Sequence, residues 1–77
     1  MSEPVARRYP NINRFVFERG WIEIGSDEYS DSFIRAFDSG GLIWNGKPFY
    51  PSLDNALDVL EQELRQWLKQ KEGEDAE

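Results

Sequence analysis

From Leu53 to Leu68 the chain places Leu53, Ala56, Leu57, Leu60, Leu64, Trp67 and Leu68 at spacings of three and four, the repeat of one apolar stripe along a helix. Pro51 stops whatever precedes it. Ser52 then stands as N-cap, its hydroxyl an acceptor for a first-turn N–H. Asp54 suits the positive end of the helix macrodipole, and Lys69 and Lys71 suit the negative end. Asp54, Asp58, Glu61, Gln62 and Arg65 fall on the opposite side, with Glu61 and Arg65 spaced for an i,i+4 ion pair; Val59 lies off the stripe. In 77 residues, a stripe of this length needs a second layer to bury it. A helix packed on a sheet is favoured over a free amphipathic ligand helix.

The second layer is legible upstream. "WIEIG" alternates, with Ile22 and Ile24 on one face and Trp21 and Glu23 on the other. "SDEYSD" is a polar connection of turn-forming residues. "SFIRAFD" is a second strand, "SGG" a turn in which glycine takes positive φ, and "LIW" a third strand. Asn45-Gly46 is the strongest short hairpin signal, and "KPFY" after it is a candidate short fourth strand, confined to an edge by Pro48. "YPNINRFVFERG" reads two ways. Ile12, Phe15, Val16 and Arg19 fit a helix capped by Asn11 and stopped at Gly20, while "RFVFE" also alternates; the flanking Pro10-Asn11 and Gly20 favour the helix. The expected fold class is α+β, a small single domain of order α-β-β-β-α. A three-stranded antiparallel sheet packs on the C-terminal amphipathic helix, within residues 9–71. Residues 1–8 are expected to be a flexible N-terminus and 72–77 a disordered acidic tail.

Parity assigns the faces of the sheet. In the second strand the odd set contains Arg35, and burying an unpaired guanidinium is very unfavourable. Ile34 and Ala36 therefore face the leucine stripe, as do Ile22 and Ile24. Trp21, Glu23, Phe33, Arg35 and Phe37 are left on the outer face. The third strand adds either Ile43 or the Leu42/Trp44 pair, which makes Trp44 a further candidate. Aromatics and arginine concentrate binding energy at interfaces, so the candidate binding residues are Trp21, Phe33, Arg35, Phe37 and Trp44. Two structural alternatives stand beside this: the N-terminal segment folds under the sheet and covers Phe33 and Phe37, or Arg35 stacks on Trp21 or Phe37 and pairs with Glu23 across the strands. If the surface reading holds, Arg35→Glu leaves the fold intact and abolishes partner capture.

Charge and composition narrow the chemistry. The net charge of −6 sits mostly at the ends: Glu3, Glu72, Glu74, Asp75 and Glu77 leave nine basic and ten acidic residues in 4–71. The body is near neutral. The chain has neither histidine nor cysteine, so the commonest general base and the strongest common nucleophile are missing, and no enzymatic activity is expected. Asp27, Glu28 and Asp31 lie close together, but without EF-hand spacing a polar hairpin loop explains them. Gly40-Gly41 fits no phosphate loop. No cofactor, metal or small-molecule substrate is therefore expected. The first ten residues carry no apolar signal region and no apolar run approaches ~18 residues, which leads to an expectation of a cytoplasmic protein without a membrane partner.

The element order resembles that of double-stranded RNA-binding domains. That family's second helix starts with lysines that straddle phosphates, whereas "SLDNALDVLEQE" carries Asp54, Asp58, Glu61 and Glu63, which would repel a duplex. "RFVFERGWIEIG", "SFIRAFDSGGLIWNG" and "SLDNALDVLEQELRQWL" resemble short stand-alone proteins of the cyanobacterial type, a group without assigned activity. That resemblance spans about residues 9 to 68 and implies a small intracellular domain; it adds no catalytic or binding residue. The leading expectation is a protein-interaction module (adaptor, regulator or small subunit of an assembly) with a protein partner or a second copy of itself. The alternative is single-stranded nucleic acid on the same face together with Arg7, Arg8 and Arg14.

Overall fold

The computed structural model describes residues 5–25 and 31–75. Its elements are α1 (Val5–Arg8), α2 (Pro10–Glu18), β1 (Gly20–Ile24), β2 (Ile34–Asp38), β3 (Gly41–Asn45) and α3 (Leu53–Asp75). The three strands form one antiparallel sheet in the order β1-β2-β3. The α+β class and the helix–three strands–helix order expected from the sequence are those observed.

Capping explains where the helices begin. The Asn55 N–H donates to Ser52 Oγ at 3.0 Å, so Ser52 caps α3 as its position implies. The N-cap of helix α2 is Tyr9, two residues before the expected Asn11, with Pro10 in the first turn and no side-chain cap of its own. Its free N–H groups are met from outside the helix. Glu61 of α3 accepts from the Asn11 N–H at 3.0 Å, from the Ile12 N–H at 3.0 Å and from Asn11 Nδ2 at 2.7 Å. A carboxylate at a helix N-terminus satisfies orphan donors and opposes the macrodipole. The expected solvent-side Glu61–Arg65 pair is thus replaced by a buried tie between two helices.

The core lies on one side of the sheet. Ile12 and Phe15 of α2, Ile34 and Ala36 of β2, and Ala56, Leu60 and Leu64 of α3 form one buried cluster with Tyr9 and Tyr50. The Phe15 ring meets Trp67 edge-on at 5.4 Å, and Arg14 pairs with Glu72 further along the same helix pair. Both helices therefore cover the Ile34/Ala36 face, as parity requires. Ile24, at the end of the edge strand β1, remains half exposed. "KPFY" makes no fourth strand, and Asn45-Gly46 makes no hairpin turn. The Gly46 N–H instead donates to the Ile34 carbonyl at 2.9 Å, and the Phe33 N–H to the Lys47 carbonyl at 2.8 Å. Gly46 is a close-approach glycine: a Cβ there would stand 2.8 Å from the Tyr50 hydroxyl and 2.9 Å from the Ile34 carbonyl oxygen.

Candidate functional site

Cross-strand partners share a face of a sheet, so the register writes out the outer surface row by row. Trp21 stands opposite Phe37, and Phe37 opposite Leu42. The next row is Glu23, Arg35 and Asn45. On the helix side the rows are Ile22, Ala36 and Trp44, then Ile24 and Ile34. Between Ala36 and Phe37 the partner on β3 jumps from Trp44 to Leu42. Ile43 is the extra residue of a β-bulge, which breaks the strict alternation of the strand.

That bulge resolves the third strand in a way neither parity allowed. Ile43 and Trp44 both pack against the core, and Leu42 alone joins the outer face, 53% exposed. Trp44 therefore leaves the set of outer-face candidates. Leu42 enters it, although nothing in "GGLIWN" marks where the bulge falls.

Phe33 also leaves the set. It precedes β2, its ring is tilted against Tyr50 at 6.2 Å, and it packs on the core cluster. The alternation that put it beside Phe37 stops where the strand does.

Arg35 is the main correction. It projects from the outer face yet is only 7% exposed, because its guanidinium is partnered. Nη1 donates to the Ser32 carbonyl at 2.7 Å and to Ser32 Oγ at 3.3 Å, Nη2 to the Gly25 carbonyl at 3.0 Å, and Nε faces Glu23 Oε1 at 3.4 Å. The premise that excluded it from burial, an unpaired charge, does not hold: two backbone carbonyls and a carboxylate replace water. The cross-strand pairing with Glu23 weighed from the sequence is present, as one of several contacts. Arg35 ties Gly25, just after β1, to Ser32, just before β2, through their carbonyls.

What remains outside is a compact apolar row. Trp21 and Phe37 are stacked, ring centroids 5.4 Å apart and planes 7° from parallel, with Leu42 next across the sheet. Trp21 is 47% exposed, and its Nε1 reaches Glu23 Oε2 at 3.4 Å. Among the described residues Phe17 and Phe49 are the most exposed aromatic rings, but neither lies in the sheet. The N-terminal arginines are elsewhere as well: Arg8 pairs with Asp54 at 3.9 Å, and Arg14 with Glu18 and Glu72. The structure does not bring them to the aromatic face.

Among the described residues no group of three or more acidic side chains is arranged to hold a metal ion, and no helix is long and apolar enough to cross a membrane. Asp27 and Glu28 of the acidic connection lie outside the described residues. Family models, curated proteins and solved structures were all compared with the chain, and none matches it.

Proposed function

We infer that the protein is a protein-interaction module, an adaptor, regulator or small subunit of an assembly, whose contact surface is the outer face of the sheet. The observation that carries this reading is the row Trp21–Phe37–Leu42: three large apolar side chains on the face opposite both helices, the two outer members about half exposed. The stacked pair is held in register by the strands, so little side-chain entropy is left to lose on binding. Aromatic anchors of this kind dominate interface energies. Glu23 and Asn45 in the adjoining row provide a polar rim.

Size favours one kind of occupant. Five-residue strands at ~3.3 Å per residue and ~4.8 Å apart give a face of about 16 by 10 Å between strand axes. A standard-size stable interface buries ~800 Å² on each partner, far more than this face presents, so the expected contact is a small, transient one and not a stable face-to-face homodimer. A single α-helix, ~10 Å in diameter and 1.5 Å per residue, covers the row with about three turns. The occupant is an amphipathic helix of a partner protein, laid apolar side down.

Affinity capture from the native cell tests the reading, with the wild type run beside Leu42→Glu and beside Gln62→Glu on α3. A stoichiometric partner is expected with the wild type and with Gln62→Glu, and is expected to be lost with Leu42→Glu while far-UV dichroism is unchanged. Retention of the same partner by folded Leu42→Glu would overturn the reading. So would a concentration-dependent doubling of mass in sedimentation that Leu42→Glu abolishes, since the face would then belong to a second copy.

A further inference from the structure

A second surface lies on the other layer of the molecule. A cleft of about 220 Å³ opens between β3 and α3. Ile43 and Trp44 form its strand wall, Leu64 and Trp67 its helix wall, and Glu63, Gln66 and Gln70 the polar rim. It exists because of the bulge: two consecutive β3 side chains turn toward the helix, and Trp44 is brought to the same cleft as Trp67. The volume is below the ~300–1,000 Å³ of pockets that enclose a drug-sized ligand or cofactor. It is the size of one large side chain.

The lining specifies which side chain. Two indoles and one carboxylate line the cleft, with no cation among the lining residues. Among the described residues Glu63 has no hydrogen bond or ion pair to occupy it. Trp67 already attracts a cation: Lys71 Nζ stands 5.6 Å from its ring centroid, from outside the cleft lining. An ammonium or a guanidinium would both be drawn to such a site. The rim separates them, because Glu63, Gln66 and Gln70 lie at i, i+3 and i+7 on one stripe of α3 and all supply acceptor oxygens. A lysine ammonium can donate to these oxygens too, but as a compact, strongly hydrated point charge it has no planar face to lay on an indole. A planar guanidinium stacks on an indole while its five N–H donors meet the carboxylate and amide oxygens.

We propose that the β3–α3 cleft is a recognition site for an arginine side chain presented by a peptide or partner protein, with Trp44 and Trp67 as stacking walls and Glu63 as the charge partner. The site is independent of the outer sheet face. Its test is an NMR titration of the full chain that follows the three indole N–H signals. The ligands are three short blocked peptides, identical except for a central arginine, lysine or citrulline.

The Trp44 and Trp67 signals are expected to move saturably with the arginine peptide while Trp21, on the opposite face, stays still. Lysine should bind more weakly, citrulline should not saturate, and Glu63→Gln should weaken arginine binding roughly fivefold. Equal shifts with lysine and arginine would mean general attraction to an acidic chain and would overturn the proposal. So would movement confined to Trp21, or no movement up to about 5 mM peptide. Leu42→Glu should leave the arginine titration unchanged, so this site and the sheet-face reading fail separately.

Discussion

The guanidinium of Arg35 satisfies the Ser32 and Gly25 carbonyls at 2.7 and 3.0 Å in a place that water barely reaches, so its removal strands buried acceptors as well as a charge. Arg35→Met keeps the aliphatic stem and removes only the donors. It should lower unfolding free energy by about 2–4 kcal/mol in urea titrations, and Arg35→Glu by more. A variant as stable as wild type would contradict the buried network. This reverses the expectation from sequence that Arg35→Glu spares the fold. Tyr9 gives a pH-dependent case. Burial raises its hydroxyl pKa above the ordinary 10.0; Arg8 opposes this, and Asp58 and Asp54 add to it. The unfolded chain ionises near pH 10 while the folded chain still holds the proton. The stability linked to Tyr9 is thus fully present below pH ~10 and lost as pH rises through the higher folded value. Urea midpoints should fall more steeply between pH 9 and 11 for wild type than for Tyr9→Phe; identical slopes would contradict the assignment.

At the level of elements, α2 depends on α3 for its first turn. Glu61→Ala removes the carboxylate that accepts from the Asn11 and Ile12 N–H groups, and is expected to destabilise the fold by about 2 kcal/mol. Hydrogen exchange should accelerate first in α2. Uniform acceleration across the strands with α2 still protected would contradict the tie. These elements also show what the sequence makes legible. The stripe from Leu53 to Leu68 and the Ser52 cap are local signals, and the helix they imply is present, whereas Gly20, read as a helix stop, is the first residue of β1. The parity argument placed Ile34 and Ala36 correctly because one face of a sheet must be buried. Three features depended on particular tertiary contacts and were not legible. Glu61 was placed in solvent because its partners lie 50 residues away. Arg35 does face outward, but its burial was not legible, because it depends on the Gly25 and Ser32 carbonyls being brought together beside β2. The bulge at Ile43 was invisible because it exists only in the pairing of β3 with β2, and it splits the Leu42/Trp44 pair, Leu42 outward and Trp44 against the core.

At the scale of the whole molecule, two layers account for the shape: the smallest extent is 17 Å, enough for one sheet and one layer of helices. Antiparallel sheets commonly leave one face to solvent, but that face is then mostly polar. Here one of its two rows is Trp21, Phe37 and Leu42, and in the other Arg35 is withdrawn into its own hydrogen bonds. A domain this small buries only ~60% of its unfolded surface, and placing an apolar row outside the core forgoes burial it could use. On the proposed function that row is a surface kept for a partner. The most direct measurement is site-specific photo-crosslinking in the native cell, with a photoreactive phenylalanine analogue at Leu42 and, separately, at Gln62 on the exposed side of α3. The account predicts one discrete adduct to a different protein from position 42, mapped to an amphipathic helix of that partner, and none from position 62. Equal adduct patterns from both positions, or no adduct from position 42, would contradict it.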